Sequence, residues 1–305
     1  DIQGLNGPDS GHIKLSVIVR GADIIIVLAR GFFMRFIRTL RNIAFTSGIA
    51  AMAALPVAAQ DAPEFSLELN NANASASHFK SHAQYEAGLK DEGLKYLQDW
   101  IPDYDRRGIL HGHLSWHVAL WALGQGDADR MWERVDADVK PGAAEGLPIN
   151  VLTDTASILY RAELAGVAVP EDRWREISAY AKQFFPKTTI PFIDLHAALA
   201  HAMASDGDEL ARIAENPHGP AGELVRPVTD AYRAMARQDW EEGATVLTGL
   251  MGDHARLGGS RAQRDLLEFS LLNALLKQGW DTEASRLLSL RRPTIAAEHA
   301  VHGLS

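Results

Sequence analysis

The sequence predicts an all-α fold, an array of about six helical hairpins over residues 60–305 behind a 59-residue leader. Three observations predict it. From about residue 70 onward, apolar residues recur at helical spacing, as in Tyr96, Leu97 and Trp100, and in Leu114, His117, Val118 and Trp121. Alternating runs of β-branched and aromatic residues, which mark strands, are absent from that stretch. Helix-breaking punctuation returns at Gly88, Gly126, Gly166, Gly207, Gln238-Asp239 and Gly279, at intervals of 38, 40, 41, 32 and 40 residues.

The leader comes first. It holds six of the 30 basic residues and three of the 39 acidic ones, so the remaining 246 residues carry a net charge of -12 against -9 for the whole chain. Met34 opens a signal-like run: Arg35, Arg38 and Arg41 form a basic segment, Ile43 to Leu55 is apolar, and Val57-Ala58-Ala59 precedes Gln60. The stretch 34–59 reads equally as an export signal or as a packed helix. Residues 1–33 are read as foreign or misassigned sequence if Met34 is the true start. The apolar stretch is too short for a spanning helix, and the earlier pieces Ile13–Val19 and Ile24–Leu28 are interrupted by Arg20, Gly21 and Asp23, so no stable membrane span is expected.

The body follows as six repeats. Each break leads into a second helix that opens on acids, favourable beside the positive end of the helix dipole. Lys90-Asp91-Glu92 leads to Leu94, Asp127-Ala128-Asp129 to Met131, and Pro170-Glu171-Asp172 to Trp174. Asp206-Gly207-Asp208-Glu209 leads to Leu210, Asp239-Trp240-Glu241-Glu242 to Val246, and Trp280-Asp281-Thr282-Glu283 to Leu287. Helix pairs at a period near 40 residues are the signature of a tetratricopeptide-like (TPR-like) α-solenoid, in which stacking buries what one hairpin cannot. The seven tryptophans are spread over the hairpins and read as packing residues.

Composition limits the chemistry. Hydrophobic residues at 47% and charged residues at 23% exclude a disordered, collagenous or multi-span chain. The acidic balance argues against a general grip on nucleic acid and favours a basic partner. With no cysteine, disulfides, thiolate-held zinc, iron–sulfur clusters and thiol nucleophiles are excluded.

Several separated segments resemble the tetratricopeptide repeat protein 38 family. They are His111-Gly112-His113-Leu114-Ser115-Trp116-His117-Val118-Ala119-Leu120-Trp121, Leu152-Thr153-Asp154-Thr155-Ala156-Ser157, Phe192-Ile193-Asp194-Leu195-His196-Ala197, and Gly258-Gly259-Ser260-Arg261-Ala262-Gln263-Arg264-Asp265. The resemblance spans roughly residues 66–303. It implies an all-helical TPR-like array, usually intracellular, in a family whose biochemical role is largely undefined. Members carry further N-terminal hairpins, so the leader implies a truncated or rearranged array with one open, association-prone end. A genuine signal at Met34–Ala59 would instead place the protein outside the cytoplasm.

Candidate chemistry rests on few residues. His113 and His117 stand four apart on one predicted helix face, the spacing of a two-histidine metal clamp. The zincin pattern needs Glu after the first histidine, where this chain has Leu114. A divalent metal would therefore need a third ligand, for which His196 or Asp194 are the candidates. Asp154 is expected to be a helix cap, and Asp194 either a buried carboxylate or a solvated helix start. Ser260 and Gln263 form a capping box, which does not account for Arg264 and Asp265, residues able to bind a carboxylate or histidine of another hairpin. Three functions compete. The first is a scaffold whose groove takes a protein or peptide, with no cofactor. The second is an enzyme or metal-binding protein with His113, His117, Asp194, His196 and Arg264 converging on one cavity. The third is an oligomerisation module. Fold analogy favours the first and leans away from catalysis.

Overall fold

The computed structural model describes residues 15–20, 23–28, 73–291 and 300–303. The chain divides into two compact units, Asp1–Ala44 and Phe45–Ser305. In the first, β1 (Leu15–Arg20) and β2 (Asp23–Leu28) pair antiparallel, from Leu15 opposite Leu28 to Arg20 opposite Asp23. The expected irregular or helical leader is corrected over this stretch. Its Val and Ile residues favour extended backbone, and Arg20 and Asp23, which interrupt the apolar run, pair at the ends of the two strands. The signal-like segment 34–59 lies outside the described residues.

The described part of the second unit is all-α, with twelve α-helices: α1 (Ala74–Ala87), α2 (Lys90–Trp100), α3 (His111–Gly124), α4 (Ala128–Arg134), α5 (Pro148–Leu164), α6 (Glu171–Phe184), α7 (Pro191–Met203), α8 (Gly207–Glu215), α9 (Val225–Ala236), α10 (Trp240–Leu250), α11 (Arg261–Lys277) and α12 (Asp281–Arg291). Each odd-numbered helix packs on the even-numbered helix that follows it. No described helix is long and apolar enough to cross a membrane.

The turns between paired helices share one device, a residue in the left-handed conformation that satisfies the carbonyls at the helix end. It is Gly88, Gly126, Gly166 and Gly279 in four hairpins, but Ser205 and Gln238 in the fourth and fifth, with φ of 59° and 61°. The fourth break is thus Ser205. Gly207, the residue expected from sequence, opens α8 instead. Asp127, Asp206 and Asp239 then cap α4, α8 and α10 by accepting from Arg130, Glu209 and Glu242 backbone N–H groups. The capping box of Ser260 and Gln263 is present at the start of α11.

Burial separates the two helix sets. In α3, 12 of 14 residues are buried, in α5 13 of 17 and in α7 11 of 13, whereas α2 buries three of 11 and α6 four of 14. Helices α3, α5 and α7 are buried on nearly all sides, as a central helix must be, and α2 and α6 are amphipathic covers, whereas α1 buries only three of its 14 residues. Among the central set, α3 packs on α5, α5 on α7 and α7 on α9, while α11 packs back on α5 and α1. In the first hairpin, α1 contacts α3 and α11, and its Tyr85 hydroxyl donates to Asp265 across 2.7 Å. Trp116, Trp121 and Trp174 are buried in the core, whereas Trp280 is 48% exposed.

The left-handed turn positions give a direct test. An L-residue with a Cβ at such a position costs about 1 kcal/mol that glycine avoids. Gln238→Gly is expected to raise the urea midpoint and Gly126→Ala to lower it, each by a change of about 0.5–1 kcal/mol in unfolding free energy.

Candidate functional site, a four-histidine cluster

Helix α1 differs from α3 and α11, on which it packs, in that only three of its 14 residues are buried. Between Ala74 and Ala87 its only large apolar side chains are Phe79, which is 39% exposed, and Tyr85. Polar contacts hold it instead. Asn73 caps it by accepting from the Ala76 N–H, Ser77 meets the Tyr96 hydroxyl at 2.9 Å, and Ser81 donates to the Ser77 carbonyl. Its face toward α3 presents His78 and His82, one turn apart, against His113 and His117, also one turn apart. The i, i+4 spacing stacks each pair on one side of its helix, and two such pairs facing each other bring four imidazoles together.

The geometry is tight. A ring nitrogen from each of the four histidines lies within 4.8 Å of the other three. His78 Nε2 is 2.8 Å from His82 Nε2 and 3.0 Å from His113 Nε2. One proton on His78 Nε2 can serve one of these contacts as donor, and the nitrogen then has no lone pair left for the other. A cation between the rings serves both. Tetrahedral coordination at a metal–nitrogen distance of 2.0–2.1 Å places ligand nitrogens about 3.3 Å apart, within the range spanned here.

His117 supplies a second observation. It is fully buried, and neither Nδ1 nor Nε2 has a hydrogen-bond partner. An unsatisfied buried polar atom costs about 1–3 kcal/mol, so one ring with two such atoms is placed to bind an ion or a water. Trp116 and Trp121 wall this ring, with centroids 5.0 and 5.8 Å away. His113 and His117 are buried and His78 and His82 half-buried, so the pair on α3 is the more enclosed of the two.

Asp154 orients the set. It lies in the middle of α5, 1% exposed, and its Oδ2 accepts from His113 Nδ1 at 2.8 Å. The expected cap role is corrected: Pro148 opens α5, and Asp154 sits nearly two turns inside it. By taking the Nδ1 proton, Asp154 fixes the tautomer of His113 and turns its Nε2 lone pair toward the cluster, as the outer partners of metal-bound histidines do. Burial raises the Asp154 pKa, opposed by His113. Burial and then the neighbouring imidazoles hold His78 and His117 well below the usual histidine range and push His82 down to about 3. The three rings are thus neutral near pH 7.

The other residues singled out from sequence lie elsewhere. Asp194 is 2% exposed and accepts from the Thr189 N–H at 3.0 Å, which ties it to the start of its own helix α7. Burial raises it to about 6 against that bond. His196 donates Nδ1 to the Phe192 carbonyl at 2.7 Å and leaves Nε2 without a partner. Arg264 donates to the Gly259 carbonyl, and Asp265 accepts from Tyr85. The convergence of His113, His117, Asp194, His196 and Arg264 on one cavity is therefore corrected. The physical reason is that α3 turns its histidine face to α1, while Asp194 and His196 on α7 satisfy backbone groups nearby. His78 and His82 take the place of His196. Their signal was in the sequence as a second His-x-x-x-His, in Ser77-His78-Phe79-Lys80-Ser81-His82, on a segment too polar to stand out as core.

Buried neutral histidines outside the cluster make stability pH-dependent. His196 and His201 are 1% and 0% exposed, and burial lowers both to about 4. Their contribution is complete above the unfolded value near 6.5 and is lost as pH falls toward 4, at about 1 kcal/mol per pH unit for each ring. Asp194, raised to about 6, acts in the opposite sense and gains stability as pH falls from 6 toward 3.8. In chelator-treated protein the urea midpoint is expected to drop between pH 7.5 and 5.0, and to drop further in Asp194→Asn, where the opposing group is gone. No protein-family model and no solved structure matches this chain, so the functional reading rests on the side chains described above.

Proposed function

We propose that this protein is a metal-binding helical-repeat protein that holds one divalent first-row transition ion between His78, His82, His113 and His117. The observation that carries this reading is the convergence of four ring nitrogens within 4.8 Å around a fully buried imidazole with no hydrogen-bond partner. Four neutral nitrogen donors without thiolate suit zinc, copper(II) or nickel better than the oxygen-seeking magnesium or calcium. The Asp154 carboxylate, one bond removed, offsets part of the ion's charge. A full set of four imidazoles leaves a tetrahedral ion no open position, which suits holding the ion, or fastening α1 to α3, rather than hydrolysis at the metal. Because α1 has so little apolar surface of its own, an ion there would replace part of the packing energy that the other central helices draw from burial.

We further propose that the six hairpins form a TPR-like α-solenoid. Their period, the left-handed residue in every turn and the aspartate caps of α4, α8 and α10 support that reading. A peptide-binding scaffold remains the reading by fold analogy. The geometry favours the metal site over it, because central helices that bury 11 to 13 residues each leave little face for a groove.

Elemental analysis of protein purified without chelator tests the proposal, with one ion per chain expected. After stripping, zinc, copper(II) or nickel at about 1,000 times its Kd is expected to add about 4 kcal/mol to unfolding. His82→Ala, on the half-buried edge, is expected to abolish that gain while the chain stays helical. No bound metal and no stabilisation by any of the three ions, in folded protein, would refute it. Asp154→Asn is expected to keep the one-to-one stoichiometry while weakening metal affinity 10–100-fold, the usual cost of losing an outer carboxylate.

A further inference from the structure

The four imidazoles of the cluster are ordered, and their order bears on which ion they suit. Four contacts run round a closed cycle. Ring centroids stand 4.4 Å apart for His78 and His82, 4.7 Å for His82 and His117, 5.1 Å for His117 and His113, and 4.7 Å for His113 and His78. The diagonal from His78 to His117 is longer, at 5.7 Å. In a regular tetrahedron edge and diagonal are equal, and in a square the diagonal exceeds the edge by the square root of two. The cycle lies between them, a tetrahedron flattened toward a square.

The nitrogens repeat the pattern. His78 Nε2 is 2.8 Å from His82 Nε2 and 3.0 Å from His113 Nε2, its two neighbours in the cycle. At a metal–nitrogen distance of about 2.0–2.1 Å, adjacent ligands of a square-planar ion stand about 2.8–3.0 Å apart, against about 3.3 Å round a tetrahedral one. Both short edges match the square. The scaffold accounts for this. Each helix supplies one edge through its own i, i+4 pair, and the first histidine of α1 meets the first of α3 while the second meets the second. Two parallel edges held by two packed helices make a four-sided ring.

A flattened set of nitrogen donors suits copper(II) and nickel(II), whose d electrons favour a tetragonal field. Zinc has a filled d shell, gains nothing from flattening and settles as a tetrahedron. Of the first two, copper(II) stands higher in the general order of affinity. Resting on the four-histidine metal reading, we propose that the ion this site selects is copper(II), held in a tetragonal field of His78, His82, His117 and His113, with Asp154 behind His113.

Competition titrations on the full chain, stripped and reloaded, test the choice of ion. The ratio of copper(II) to zinc affinity is expected to exceed the same ratio for four free imidazoles by at least about tenfold, or about 1.4 kcal/mol. Free imidazole carries the ordinary preference for copper, so the excess is what the geometry of the site adds. A smaller excess, with both ions bound one to one, would overturn the choice of copper and leave the metal reading standing. Absence of one-to-one binding by copper, zinc and nickel alike, in folded protein, would remove both. Electron paramagnetic resonance of the copper(II)-loaded chain is expected to show an axial signal coupled to four nitrogens, and a tetrahedrally distorted signal would overturn the flattened field. His82→Gln is expected to lower the coupled nitrogens from four to three, and four in the folded variant would overturn the place of His82 in the cycle. Should that variant fail to fold, the wild-type chain loaded with cobalt(II) serves instead. It is expected to lack the intense visible absorption of tetrahedral cobalt, whose presence would overturn the flattened field.

Discussion

The constraint on which this structure depends is that its central helices are buried on nearly every side, so each polar group they carry must find a partner inside the protein. Most do. His113 donates to Asp154, Tyr85 to Asp265, and His254 faces Glu268 at 3.2 Å. His201 meets Ser178 at 2.8 Å, and Thr229 and Ser270 donate to carbonyls one turn back on their own helices. These contacts cross between α3 and α5, between α1 and α11, and between α7 and α6. They fix which central helices face one another with a specificity that aliphatic packing lacks.

Against that background, the groups left over acquire meaning. His117 has two buried ring nitrogens with nothing to bond, and it sits where three further imidazoles converge. There the protein holds metal-seeking nitrogens in a low-dielectric setting, where a cation gains most. Helix α1 brings His78 and His82 to the cluster and, about one turn on, sets Tyr85 against Asp265. A helix with little apolar surface thus lies at the centre of the protein's chemistry.

Much of the fold was legible in the amino-acid order. Glycines and acids alternating at a near-40-residue interval predict six hairpins, and the described helices break near all six positions, because a left-handed turn and a helix cap are local events governed by a few neighbouring residues. Ser205 escaped because a serine in that conformation carries no compositional mark. The leader's paired strands are near-continuous runs of Val and Ile, which lack the alternating period that marks a strand in sequence. At the site, His113 and His117 were legible as a pair from their spacing. Asp154 was visible but misassigned, since a polar residue shortly after Asn150 and Thr153 resembles a cap until the helix is seen to begin at Pro148.

By itself the sequence determined the helical class, the number and spacing of the hairpins, the absence of cysteine chemistry, and one two-histidine face. Only the tertiary structure decided what that face meets. Sequence spacing reports which residues share a side of one helix, but not which helix lies opposite, and the opposing helix is chosen by packing and by polar groups from distant hairpins. That choice brought His78 and His82, rather than His196, to His113 and His117. It also set Tyr85 against Asp265, 180 residues later in the chain.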